Sequence, residues 1–99
     1  MDPGQFHRIA RALADPRRME ILERIAAASE TACAALAGEA DVSQPTLSHH
    51  LKELVNAGLV LPRREARFCF YRLDRKLWAA YLAEMRRRVP LRRTNRRTP

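Results

Sequence analysis

The chain has 99 residues, of which 46% are hydrophobic, so it is expected to form one small domain whose limited core an obligate dimer would help to stabilise. No apolar run approaches the roughly 18 residues of a membrane span. The N-terminus also lacks the basic-then-apolar pattern of a signal peptide. These features argue against a membrane protein, and we predict a soluble, cytoplasmic one.

The net charge of +8 is unevenly distributed along the chain. Residues 86–99 carry seven arginines and no acid, whereas residues 1–85 carry 12 basic residues against 11 acidic ones, a net charge of +1. Residues 1–85 are therefore nearly neutral. We predict a folded domain over residues 1–89 and a disordered basic tail over residues 90–99. The tail either keeps the protein soluble or contacts DNA without sequence preference.

Two helices are predicted at the start of the chain. The first has apolar residues at helical spacing: Phe6, Ile9, Ala10 and Leu13. Asp15 and Pro16 end it and begin a second helix that runs to about Ala28, because aspartate caps a helix and proline fits its first position.

Two short helices with a tight join are predicted next. Thr31 or Ser29 can cap the third helix, and Ser43 can cap the fourth, which Gly58 ends. The fourth helix has an apolar face formed by Leu47, Leu51, Leu54 and Val55. This arrangement predicts a helix-turn-helix whose second member is the recognition helix.

The other face of the fourth helix carries short polar side chains where a solvated helix would normally carry Glu/Lys pairs. Such side chains suit the base edges of a major groove. We predict that DNA is contacted by Ser43, Gln44, Thr46, Ser48, His49 and Lys52. The alternative is an ordinary solvated face.

A β-hairpin is predicted after Gly58. Residues 68–73 alternate between two faces and are rich in β-forming residues, residues 59–61 lead into a preceding strand, and the turn lies near Glu65–Ala66. Cys69, Tyr71 and Leu73 are expected on the core side. Basic residues around the turn are predicted to contact phosphates: Arg63, Arg64 and Arg67.

The last predicted helix is capped by Asp74 and runs from Arg75 to about Arg88. Its apolar stripe and that of the first helix exceed what a small domain would cover alone. We predict a dimer interface formed by Phe6, Ile9, Leu13, Leu77, Trp78, Tyr81, Leu82 and Met85. Alternatively, Trp78 and Tyr81 line a small-ligand pocket between subunits.

Four segments have a distinctive order and spacing: A-L-A-D-P-R-R-M-E-I-L at 12–22, S-Q-P-T-L-S-H-H-L-K-E-L at 43–54, A-G-L-V at 57–60 and R-F-C-F-Y-R-L at 67–73. Together they resemble the ArsR/SmtB family of winged helix-turn-helix repressors. The resemblance implies a mainly α fold of about five helices with a two-stranded hairpin as wing. It also implies a homodimer, joined through its first and last helices, on a pseudo-palindromic operator.

The metal-binding motifs of that family are missing. Where many members carry C-V-C-D, this chain has Ala32-Cys33-Ala34-Ala35, and the last helix offers only Glu84 and no histidine. Soft metals require clusters of thiolate or imidazole ligands, so we predict no metal site and no cofactor. Cys33 and Cys69 are predicted to be buried structural cysteines; the alternative is a redox- or arsenite-responsive switch.

These patterns predict a sequence-specific, DNA-binding transcriptional repressor that acts as a homodimer and commonly, in this family, on its own operon. A protein-interaction module that uses the same winged surface is the alternative. An enzyme is not expected, because no grouping of nucleophile, base and orienting residue and no Gly-rich phosphate loop occurs. The residues identify no small-molecule inducer.

Overall fold

A computed structural model describes residues 1–39 and 43–92. Over these ranges the chain forms five helices and three strands, in this order: α1 (Pro3–Leu13), α2 (Pro16–Ala26), β1 (Thr31–Ala32), α3 (Cys33–Glu39), α4 (Gln44–Asn56), β2 (Val60–Glu65), β3 (Phe68–Leu73) and α5 (Arg75–Arg88). None of the helices described is long and apolar enough to span a membrane. The predicted fold class, a mainly α domain with a hairpin wing, is confirmed.

Side-chain caps explain where four of the helices begin. The carboxylates of Asp2, Asp15 and Asp74 and the hydroxyl of Ser43 each accept a hydrogen bond from a backbone N–H in the first turn. Such bonds satisfy donors that have no partner inside the helix. The predicted caps at Asp15, Ser43 and Asp74 are therefore confirmed.

The sheet is antiparallel in the order β1-β3-β2, so β3 is its central strand. Strand β1 was not predicted: Thr31, expected as a cap of the third helix, pairs instead with Tyr71. A two-residue strand is too short to show alternation, and its pairing joins residues 40 positions apart. Pro62 is accommodated because β2 lies at an edge of the sheet.

The core lies where α1, α2, α3 and α4 meet the sheet. Its fully buried side chains are Ile9, Ile25, Leu36, Leu47, Leu54, Leu59 and Val60. Phe6 and Tyr81 belong to the same cluster, and their ring centroids are 5.3 Å apart. The prediction that the whole stripe needs a partner subunit is therefore wrong for Phe6, Ile9 and Tyr81, because packing within one chain already buries them.

Two predictions fall partly on residues outside the described ranges. The join between the two members of the helix-turn-helix includes residues 40–42, and the predicted basic tail includes residues 93–99. Before the tail, α5 ends at Arg88, as the sequence predicted.

Candidate nucleic-acid interface

The polar face of α4 is exposed along its length. All six residues predicted to contact DNA are exposed, namely Ser43, Gln44, Thr46, Ser48, His49 and Lys52. The opposite face of the helix is buried through Leu47, Leu51 and Leu54. Because the apolar face fixes the helix on the core, the polar face is held rigidly toward solvent.

The two ends of α4 are both fixed by hydrogen bonds. At the start, the Ser43 hydroxyl accepts from the Thr46 N–H at 3.4 Å and donates to the Thr46 hydroxyl at 2.9 Å. At the end, Gly58 has a φ of 86°, and the N–H groups of Gly58 and Leu59 donate to the carbonyls of Val55 and Leu54. This pair of bonds is a Schellman motif, and it sets the direction in which the chain enters the wing.

His50 ties α4 to the first two helices. Its ring is buried, and its Nδ1 accepts a hydrogen bond from the Arg18 Nε at 3.3 Å. Arg18 also donates to the carbonyl of Ala12 at 3.3 Å. Burial lowers the pKa of His50, although Asp15 opposes the shift. An unprotonated Nδ1 suits this bond, because only the neutral ring can accept there.

The wing contains one arginine that is already paired. The Arg63 guanidinium contacts Glu30 at 2.7 Å and Glu65 at 2.7 Å and lies 4.5 Å from the centre of the Phe70 ring. These carboxylates raise the pKa of Arg63, and Arg63 lowers the pKa of Glu30. The prediction that Arg63 is free to contact phosphates needs correction, because its charge is balanced within the chain. Its partner Glu30, 33 residues away, left no local signal in the sequence.

The tip of the wing presents the other two predicted arginines. Arg64 and Arg67 are exposed, and Arg67 lies over the Phe68 ring at 5.7 Å from its centre. The two-residue turn contains Ala66 with a φ of 55°, a conformation that costs about 1–2 kcal/mol for a residue with a Cβ atom. Phe68 is 56% exposed, a large apolar side chain on this surface that the sequence did not single out.

The two cysteines lie near each other in the groove between the recognition helix and the wing. Thr31 pairs with Tyr71 and Ala32 with Phe70, and Cys33, the next residue, begins α3 close to Cys69. Both thiols are half-buried rather than fully buried as predicted, and they line a groove of about 320 Å³ together with Ser48, Lys52 and Arg64. Burial raises the pKa of Cys33, and the nearby Cys69 raises it further.

Part of α5 exposes apolar side chains. Leu82 is 45% exposed and Met85 38%, and Val89 just after the helix is 69% exposed. Their spacing of three and four residues places them along one side of the helix. The remaining predicted interface residues, Leu13, Leu77 and Trp78, are partly buried against the core of the same chain.

Glu84 is buried beside this apolar edge. Its carboxylate accepts hydrogen bonds from Arg87 at 2.6 Å and from Arg88 at 2.8 Å. These bonds hold its pKa at about 2. Among the side chains that the structure describes, no three of His, Cys, Asp or Glu gather closely enough to hold a metal ion. The neighbours of Glu84 are arginines.

Comparison with known proteins places this architecture in a family. The helix-turn-helix domain family matches residues 13–63. The arsenical resistance operon repressor of Staphylococcus xylosus is 40% identical over 74 residues, which are 75% of this chain and 70% of that protein.

Two solved structures share the fold. A crystal structure of an ArsR family transcriptional regulator superposes with a TM-score of 0.74 at 25% identity, covering 94% of this chain and 98% of the other. The homodimeric winged helix-turn-helix DNA-binding domain of a possible ArsR-family regulator from Mycobacterium bovis gives a TM-score of 0.70 at 29% identity, covering 96% and 89%. The fold and the exposed polar face of α4 together define a winged helix-turn-helix transcriptional regulator. The chain belongs to the ArsR family, as its sequence motifs predicted.

Proposed function

We propose that this protein is a cytoplasmic, homodimeric transcriptional repressor that binds a pseudo-palindromic operator. The observation that carries the proposal is the exposed polar face of α4, whose Ser48 and Lys52 line one groove with Arg64 of the wing. Arg67 is also exposed, at the tip of the wing. Side chains such as Gln44 and His49 can donate to or accept from base edges in a major groove. Arginines beside them can neutralise phosphates, which position the protein on the duplex.

The exposed apolar edge of α5 supports the homodimer. Leu82, Met85 and Val89 form a continuous strip that a second copy of the helix can cover. The related domain from Mycobacterium bovis is described as a homodimer. A two-fold axis would place two copies of α4 in successive major grooves, about 34–36 Å apart.

A gel-shift assay with duplexes from the gene's own promoter region tests the proposal. We expect one duplex to be preferred and its affinity to fall about 10³-fold or more between 50 and 200 mM salt, if six or more phosphates are neutralised. Replacing His49 with alanine should weaken operator binding about tenfold, since a base contact contributes roughly 1–3 kcal/mol. His7→Ala, at an exposed histidine on α1, is the matched control.

Two results would contradict the proposal. One is the absence of any preferred duplex at physiological salt, which would favour a protein-interaction module. The other is an equal effect of His49→Ala and His7→Ala, which would mean that α4 does not read the operator.

Control by the cysteines is a second candidate property, favoured by the presence of Cys33 and Cys69 in one groove beside Ser48 and Lys52. A bond or ligand joining the two sulfurs would tie the wing to α3, the helix before the recognition helix, and would change the shape of the groove beside α4. Arsenite or a disulfide-forming oxidant should then release the operator from the native protein but not from the Cys33→Ser or Cys69→Ser variant. If the variants respond like the native protein, this control is absent.

A further inference from the structure

A cavity of about 400 Å³ lies where α1, α2 and the end of α4 meet. It is lined by Arg8, Arg11, Ala12, Arg18, Glu53 and Asn56. Its volume is within the range of small-molecule sites in proteins. The residues from α4 belong to the last two turns of that helix, whereas the proposed DNA-contacting residues begin at the opposite end.

The charges around the cavity are unbalanced. Three guanidinium groups face a single carboxylate, that of Glu53. With the side chains that the structure describes, Arg8 and Arg11 make no ion pair or hydrogen bond. By contrast, Arg63, Arg87 and Arg88 are all paired with carboxylates. The lining of the cavity therefore carries more positive than negative charge.

One of the three arginines is held in place before any ligand arrives. Arg18 donates to the Ala12 carbonyl and to His50 Nδ1, each at 3.3 Å. A guanidinium fixed in this way loses little conformational freedom when it binds an anion. Asn56 adds an amide that can donate to an anion from the other side of the cavity.

We propose that this cavity binds a small polyvalent anion, a carboxylate or phosphate compound, through Arg8, Arg11 and Arg18. An anion bound to Arg18 would lie beside Glu53 and Asn56 of α4 and would share the guanidinium that bonds to His50, so its binding would change how α4 is held on the first two helices. The effect on operator affinity rests on the proposed function, whereas the site itself does not.

Titration of the full chain with citrate and with pyrophosphate, at ionic strength held constant with sodium chloride, tests the site. We expect saturable binding with one anion per protomer, measured by calorimetry and by a rise in melting temperature. The Arg8→Gln/Arg11→Gln variant should bind about tenfold more weakly or worse, because it loses two charge-assisted contacts. The control Lys76→Gln/Arg86→Gln removes the same charge from exposed positions on α5. Equal affinity in the two double variants, or no saturable binding to the native chain, would overturn the proposal.

Glu53→Gln tests the same site, and it should change the affinity for the anion in the opposite direction. Removing the Glu53 carboxylate should tighten citrate binding about threefold or more, since one repulsive charge is lost. This variant decides the question even if the double arginine variant does not fold. Unchanged or weaker binding would count against the site.

The regulatory step is tested by repeating the operator gel shift with saturating citrate. We expect citrate to weaken operator binding by the native chain and not by Arg8→Gln/Arg11→Gln. If citrate binds but operator affinity is unchanged, the coupling is wrong and the anion site stands. If no duplex is bound under any condition, the proposed function fails, while the citrate titration still decides the site.

Discussion

Helices α4 and α5 are nearly equal in length, 13 and 14 residues, but their surfaces divide in opposite ways. α4 buries its leucines and exposes hydroxyl, amide and imidazole groups. α5 buries Tyr81 and the carboxylate of Glu84 while it exposes Leu82 and Met85. The surface of α4 is thus complete in one chain, whereas that of α5 remains apolar until another surface covers it.

The ion pairs of the buried Glu84 carboxylate explain how α5 can bury a charged group while it exposes apolar side chains. Glu84 is neutralised by Arg87 and Arg88, and Arg88 also lies 4.0 Å from the centre of the Phe6 ring on α1. A buried charge without such partners would be costly. These contacts hold α5 against α1 with Leu82 and Met85 turned outward. The ion pairs of Glu84 therefore help to set the orientation of the exposed apolar side of α5.

The largest expected effect comes from breaking that edge. Leu82→Asp/Met85→Asp should convert a dimer to a monomer, because each subunit would bring two charges into an apolar contact without partners. Sedimentation velocity measures the change, and circular dichroism checks that the fold remains. Operator binding should fall by about 10²-fold or more, because one subunit engages only one half-site.

A matched control for the dimer prediction is Ala80→Asp/Ala83→Asp, which adds the same charge at exposed positions of the same helix. This variant should remain dimeric. If both double variants dissociate, or neither does, the strip formed by Leu82, Met85 and Val89 is not the subunit contact.

A smaller effect is expected at the end of α4. Gly58→Ala should destabilise the fold by roughly 1–2 kcal/mol, because a φ of 86° is unfavourable for alanine. The added Cβ would also lie 3.0 Å from Leu77 Cδ2. Urea unfolding gives the free-energy difference.

Gly38→Ala is the control for Gly58→Ala, and the opposite change in stability is expected. Gly38 lies inside α3 with nothing within 4 Å of an added Cβ, so alanine there should stabilise the protein by roughly 0.5–1 kcal/mol. If both substitutions stabilise the protein, the positive φ at the end of α4 does not require glycine at position 58.

The sequence was most informative where the signal is local. α4 begins after Ser43 and ends before Gly58, as predicted, because caps and left-handed residues depend on a few neighbouring groups.

Contacts between distant residues could not be predicted in this way. The pairing of Arg63 with Glu30 and the bond from Arg18 to His50 join residues more than 30 positions apart. No spacing rule relates such positions before the fold is known. For the same reason the sequence placed Phe6, Ile9 and Tyr81 at a subunit contact, since an apolar stripe does not say which surface will bury it.

The smallest expected effect concerns the charges that orient α5. Hydrogen bonds from Arg87 and then Arg88 lower the Glu84 pKa from 4.5 to about 2. A lowered pKa in the folded state means that the ionised carboxylate stabilises the fold above pH 4.5. This contribution is lost as the pH falls from 4.5 toward 2.

Glu84→Gln should therefore be less stable than the native chain at pH 7, and the difference should shrink on acidification. Because Arg87 is 70% exposed, solvent screening keeps the effect modest. Thermal unfolding between pH 7 and 2 measures it, with Glu20→Gln on the exposed side of α2 as control. A difference between native and Glu84→Gln that does not change with pH would mean that the buried carboxylate acts through packing alone, and that the orientation of α5 does not depend on its charge.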